Sequence, residues 1–308
     1  MLRASWILVV TAFVSCASNE KSRDVATSQS GPSGPLVVYT VNYPLQYFAE
    51  RIGGEHVEAV FPGPADSDPA EWSPQADDIL GYQQADLILL NGATYAKWID
   101  RVTLPASKLV DTSASFQDRY IVIEDALLHS HGPEGEHSHG ETAFTTWLDP
   151  TLAIEHANAI RNALAAARPE HEASFEQGLV ALEQDLKALD ERMERAAAAK
   201  ADEPLVASHP VYQYLARRYR LNLPAVHFEP NAFPDQEAWH ELEYLLEGHA
   251  AKGMLWEAEP AAETAQRLRD MGIARVVFDP CANRPDAGDY LSIMEANVAR
   301  FEELLSGS

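Results

Sequence analysis

Apolar and polar positions alternate in short blocks along most of this chain, and the blocks predict strands and helices in turn. Short β-branched or leucine-rich runs, typical of buried strands, occupy 36–41, 57–61 and 86–90. Helical patterns follow at 44–52 and 74–84, and the segments 95–101 and 108–110 continue the alternation. This repetition predicts a parallel sheet covered by helices on both faces.

A second set of blocks begins after residue 200. Strands are predicted at 205–207, 225–228, 254–256 and 276–278. Helices are predicted at 211–219, 237–247, 261–271 and 290–305. The chain therefore holds two similar α/β units.

One long helical pattern separates the two sets. Its apolar residues recur every third or fourth position and form one stripe: Phe175, Leu179, Leu182, Leu186, Leu189 and Met193. The stripe fits a coiled-coil partner helix or a rigid strut laid along both units, and we favour the strut because a single stripe is marginal alone.

These patterns predict an α/β fold of two (βα)-repeat lobes with parallel sheets, joined by one long backbone helix. The N-terminal lobe is expected at 36–168, the linking helix at 169–200 and the C-terminal lobe at 201–308. A ligand cleft is expected between the lobes, at the carboxyl ends of the strands.

The first residues predict export. Residues 1–15 have a positive start and an apolar run too short to span a bilayer, which is typical of a signal peptide. Cys16 follows a sequence like a bacterial lipobox, so we expect a lipid-anchored periplasmic protein with a flexible tether at 16–35. An ordinary secretory peptide with a chance cysteine is the alternative.

Charge and composition narrow the function. The 308 residues carry 23 Lys and Arg against 47 Asp and Glu, a formal net charge of −24, which argues against nucleic acid and favours a cationic ligand. Two cysteines exclude a disulfide scaffold and a four-cysteine zinc module. Common nucleotide-binding and hydrolase motifs are missing, so we predict a binding protein and no enzyme.

Metal-ligand residue types occur in two places. A Gly-rich stretch holds four histidines interleaved with glutamates, and it is expected to collect metal loosely: His129, His131, His137 and His139. His209 and Asp279 each follow a predicted strand, and Cys281 lies two residues further on. Glu229 and Glu257 also end predicted strands, so they are expected at the cleft rim.

Several segments together resemble the zinc/manganese-type solute-binding proteins of bacterial metal ABC importers. They are 68–74 (DPAEWSP), 85–92 (ADLILLNG), the His-rich loop running into 147–150 (WLDP), His209 with 212–215, and Asp279 with 288–290. The resemblance covers nearly all of 36–305. It implies a metal held between two lobes and handed to an ABC permease with its ATPase, by a protein expected to be monomeric.

The chain departs from that family at two N-terminal positions. Ala70 and Thr145 stand where the family usually has metal-binding histidines, whereas His209 and Asp279 match its C-terminal ligands. Glu71, a loop histidine or Cys281 could complete a rearranged site, Cys281 favouring a softer metal such as copper or zinc. Otherwise the cleft takes another ligand, lined by Trp72 and Trp147.

The predicted function is capture of a divalent transition metal, zinc first, with manganese or copper as other candidates. A periplasmic metallochaperone or sensor that uses the His-rich loop is a second class. A metal-dependent hydrolase is a third and least favoured class, because Glu257 is its only candidate base.

Overall fold

The computed structural model describes residues 34–65, 67–123, 141–199 and 203–306. From Pro35 onward the chain forms one compact unit. The predicted signal peptide, Cys16 and the four loop histidines (His129, His131, His137 and His139) lie outside the described residues, so these expectations stay predictions. Within the described ranges, no helix combines the length and apolarity needed to cross a membrane.

The N-terminal lobe is built on a four-stranded parallel sheet in the order β2-β1-β3-β4. Its strands are β1 Leu36–Thr40, β2 Val57–Val60, β3 Leu87–Leu90 and β4 Leu109–Asp111. Helices α1 Tyr43–Gly53 and α2 Ala76–Gln84 connect strands of this sheet. A short antiparallel pair, β5 Val122–Ile123 and β6 Glu141–Thr142, lies outside it.

The C-terminal lobe has a three-stranded parallel sheet in the order β7-β8-β9. Its strands are β7 Leu205–Ala207, β8 Gly253–Trp256 and β9 Ala274–Val277. Its helices are α5 Gln213–Tyr219, α6 Gln236–Gly248, α7 Ala262–Asp270 and α8 Tyr290–Ser306.

The prediction of a strand at 225–228 is wrong, because this segment does not form a regular strand. Only Ala225 forms a bridge, to Ala207 of β7. Pro224 and Pro230 flank the segment and cannot donate to a ladder, which shortens the pairing. The side chains still alternate as in a strand, with Val226 and Phe228 fully buried.

Two long helices join the halves of the chain. The helix α3, Pro150–Ala167, was not predicted, although the side chain of Asp149 caps it by accepting the N–H of Thr151 at 3.0 Å. It leads into α4, Glu172–Ala198, which packs against α1, α3 and α8. All six residues of the predicted stripe are buried, none more than 7% exposed.

The strut interpretation of α4 is therefore supported, because its stripe is covered by helices from both lobes. The predicted fold class, two parallel α/β lobes with one long connecting helix, is confirmed.

Candidate metal site at the lobe interface

His209 lies at the carboxyl end of β7, and the residue before it, Ser208, is hydrogen-bonded to the segments on both sides of β7. The N–H of Ser208 donates to the carbonyl of Leu255 at 2.8 Å, and the N–H of Phe228 donates to the carbonyl of Ser208 at 2.7 Å. These bonds continue the pairing with the neighbouring segments of the sheet past the end of β7. His209 therefore sits where the loops of a parallel sheet build a ligand site.

A carboxylate lies beside each nitrogen of the His209 ring. Glu257, directly after β8, places Oε1 3.3 Å from Nδ1, and Glu229 places Oε1 3.7 Å from Nε2. Burial by itself lowers the pKa of His209, but the hydrogen bond to Glu257 and the charges of Glu257, Glu229 and Asp68 outweigh it. The net result is a raised pKa of His209, as expected in a field of negative charge.

Asp68 brings a carboxylate from the N-terminal lobe to this cluster. Burial raises the pKa of Asp68, and the charges of Glu257 and Glu71 raise it further, while the N–H of Ala70 and His209 lower it. Sequence reasoning noted Asp68 only as part of a motif. Its place in the site depends on how the two lobes meet.

His227 is a second residue that sequence reasoning missed. Its ring centroid lies 5.7 Å from that of His209, with the rings at 89°. His227 and Glu229 are exposed, whereas Val226 and Phe228, which alternate with them, are buried. This period of two was the available signal that His227 and Glu229 share one face.

Asp279 follows β9 as predicted and is tied into the protein. Its carboxylate accepts the N–H of Cys281 at 2.7 Å, and Asn297 bonds to its backbone. Burial raises the pKa of Asp279, and the charge of Glu257 adds to this effect. Asp279 therefore lies near Glu257, with one oxygen already engaged.

Cys281 is buried in the core and is only 1% exposed. Its backbone has a positive φ of 55°, and its thiol contacts the carbonyl of Asn283 at 3.9 Å. Burial raises the pKa of the thiol far above its usual range, and Asp279 adds to the shift. The core therefore encloses the thiol of Cys281, and its role as a metal ligand stays a prediction.

The proposed replacements in the N-terminal lobe are also placed. Glu71 is exposed and lies 3.7 Å from Lys97, and its charge raises the pKa of Asp68. Ala70 and Thr145 are buried, and the hydroxyl of Thr145 donates to the carbonyl of Val211. Among the described residues, no three His, Cys, Asp or Glu side chains are already arranged to hold a metal ion together.

Two parallel α/β lobes bridged by a long helix, with ligand-type side chains at the strand ends, define the class of bilobed solute-binding proteins. Residues 38–304 match the family described as "ZnuA: Zinc-uptake complex component A periplasmic". The chain belongs to this family, and the family predicted from the sequence is confirmed.

Relatives and solved structures agree with this assignment. The zinc-binding lipoprotein AdcA of Streptococcus pneumoniae serotype 4 is 25% identical over 303 residues, which cover 94% of this chain and 58% of that protein. The metal ABC transporter substrate-binding lipoprotein FimA of Streptococcus parasanguinis is 25% identical over 294 residues, or 91% of this chain and 92% of FimA.

The fold is also similar to known structures. The metal-dependent lipoprotein YcdH from Bacillus subtilis has a TM-score of 0.74 at 19% identity, covering 87% of this chain and 98% of YcdH. The Zn(II)-bound ZnuA-like domain of S. pneumoniae AdcA has a TM-score of 0.74 at 22% identity, covering 88% and 98%. This chain spans little more than half of full-length AdcA, 58% of it.

Proposed function

We propose that this protein is an exported lipoprotein that captures a divalent transition metal, zinc first, and delivers it to an ABC permease and its ATPase. Cys16 would carry the lipid anchor, and the binding unit would act as a monomer. The metal would be bound and released unchanged, without catalysis. The names of AdcA and FimA support zinc and an ABC transporter as the cargo and the partner.

The observation that carries this proposal is the position of His209. Its ring stands between Glu257 and Glu229, at 3.3 and 3.7 Å, with the charge of Asp68 close by. An imidazole nitrogen and carboxylate oxygens are ligand types that zinc accepts. The surrounding negative charge also raises the local concentration of a cation.

Removal of the loop histidines is expected to simplify metal binding without abolishing it. A variant with His129, His131, His137 and His139 all changed to Ser should lose weak zinc binding and keep a single tight site in the cleft. Isothermal titration of the metal-stripped full chain measures both. Complete loss of zinc binding in this variant would instead support the metallochaperone or sensor that uses the loop.

In that background, His209→Ala is expected to weaken zinc binding at least about 100-fold, because it removes the nitrogen ligand at the centre of the cluster. The matched control is His240→Ala, since His240 is an exposed histidine on α6. Titration with Zn(II), Mn(II) and Cu(I) compares the metals. Unchanged zinc affinity in His209→Ala would contradict the site assignment.

One observation favours a second candidate, a cleft that has lost tight metal binding and takes another ligand. Ala70 and Thr145 offer no nitrogen ligand, and the hydroxyl of Thr145 is engaged with Val211. By contrast, Trp147, which the sequence predicts to line such a cleft, is buried and donates its Nε1–H to the carbonyl of Pro280 at 2.8 Å. Absence of zinc, manganese and copper binding in the loop variant would favour this candidate.

A further inference from the structure

The segment before Glu229 presents a second histidine to the candidate site. Val226 and Phe228 point into the core of the C-terminal lobe, so His227 and Glu229 lie together on the opposite, exposed face. The N–H of Val226 donates to the carbonyl of Ala207 at 3.0 Å, which anchors the segment alongside β7. His227 is therefore held next to the loop that carries His209.

The spacing of the two histidine rings suits one shared metal ion. A zinc–nitrogen bond of about 2.0–2.1 Å places each ring centroid roughly 3.2 Å from the metal, so two imidazoles at a tetrahedral angle have centroids about 5 Å apart. The centroids of His209 and His227 are 5.7 Å apart. The observed centroid spacing is therefore close to the spacing that one shared ion requires, and the side chains would have to reorient to bind it.

The carboxylates divide into two roles around His209. Glu229 lies on the Nε2 side, where it shares its face with His227, and its side chain is 69% exposed. Glu257 lies 3.3 Å from Nδ1. A metal-binding histidine commonly donates its other N–H to a carboxylate, which orients the ring and makes it a stronger ligand.

The lobes are held together by protein contacts that need no metal. Thr145 donates to the carbonyl of Val211, and Trp147 donates to that of Pro280. The hydroxyl of Tyr214 donates to Ala143 at 2.9 Å. Because these bonds already join the lobes, the bound ion does not have to bridge them.

We propose that the metal site lies on the C-terminal lobe alone, with His209 Nε2, His227 and Glu229 as ligands and Glu257 as the positioning residue at Nδ1. This proposal rests on the proposed function and assigns its ligands. Three protein ligands leave a fourth position for water, through which a metal can be exchanged. Two nitrogen ligands favour zinc or copper over manganese.

The test measures zinc affinity in the full chain with the four loop histidines changed to Ser. His227→Ala and Glu229→Gln are expected to weaken zinc binding at least about 100-fold, and Glu257→Gln about 10-fold. Asp68→Asn removes a charge near His209 but no ligand, so it should weaken zinc binding less than His227→Ala does. Glu71→Gln in the N-terminal lobe should change zinc affinity by less than about threefold. His240→Ala serves as the matched control.

Zinc-edge X-ray absorption provides a second readout, because it counts the imidazoles on the metal. The parent should show two imidazoles and His227→Ala one. An unchanged affinity and imidazole count in His227→Ala would overturn the inference, while a loss in His209→Ala would leave the proposed function standing. Asp68→Asn as damaging as His227→Ala would overturn the one-lobe site, and no loss in either histidine variant would overturn both proposals.

Discussion

Trp147→Ala is expected to lower the free energy of unfolding by about 3–5 kcal/mol, the usual cost of deleting a large buried aromatic side chain. Trp147 is 1% exposed and packs edge-to-face on Tyr95, with ring centroids 5.6 Å apart. Its Nε1–H donates to the carbonyl of Pro280 at 2.8 Å, in the segment after β9. The change therefore removes packing and leaves a buried carbonyl without its donor. Urea denaturation of both proteins measures the difference.

Trp147→Phe separates the two contributions. It keeps an aromatic ring and loses the N–H, so a smaller loss of about 1–3 kcal/mol is expected. Trp72→Ala is a useful comparison, because Trp72 is only partly buried and should cost less. A Trp147→Ala protein as stable as the parent would show that this contact does not join the lobes in solution.

The second large effect concerns pH and His156. This histidine is fully buried, with Nδ1 2.6 Å from Thr112 Oγ1 and Nε2 2.8 Å from Thr146 Oγ1. The Thr112 hydroxyl already donates to the carbonyl of Leu90 at 2.7 Å, so Nδ1 carries the proton and Nε2 accepts from Thr146. Burial lowers the pKa of His156 to about 3, with Asp111 opposing the shift.

The protein is expected to lose stability in mild acid through His156. Above about pH 6.5 the imidazole is neutral in both states and contributes no pH dependence. Below this pH the unfolded chain binds a proton that the folded protein excludes, until the pKa of about 3 is reached. The free energy of unfolding should therefore fall by up to about 1.4 kcal/mol per pH unit from this group.

His156→Gln is the matched variant, since glutamine is polar but does not titrate. It should be less stable than the parent at pH 7, and the gap should narrow as the pH falls from 6.5 towards 5. Other titrating groups are common to both proteins and cancel in the difference. Denaturant unfolding at several pH values gives this comparison, and parallel pH profiles would contradict the assignment to His156.

Local pattern was sufficient for the elements whose burial repeats along the chain. The stripe from Phe175 to Met193 predicted α4, and the apolar run at 86–90 predicted β3, because each periodicity matches one backbone geometry. The helix α3 was missed although its Asp149 cap is visible in the sequence. The prediction of a strand at 225–228 was wrong because the two flanking prolines limit pairing with the neighbouring strand. The strand propensity of residues 225–228 does not take this into account.

The site was predictable only in part. His209, Glu229 and Glu257 were expected at the cleft rim because each ends a predicted strand, and the carboxyl ends of parallel strands meet at one edge. Whether Cys281 was buried or available could not be read from its distance to Asp279 along the chain. The place of His227 depends on the hydrogen bonds that hold its segment alongside β7, from Val226 to Ala207 and from Phe228 to Ser208.

The order of residues alone was enough for the alternation of strands and helices, the connecting helix, the acidic balance and the family, because each is a property of neighbouring residues or of motifs. The tertiary structure alone decided that Thr145 bonds to Val211, that Cys281 is buried and that Glu257 and Glu229 stand on opposite sides of the His209 ring. These contacts join residues far apart in the chain, so they depend on tertiary packing within the C-terminal lobe and between the lobes, which no local pattern encodes.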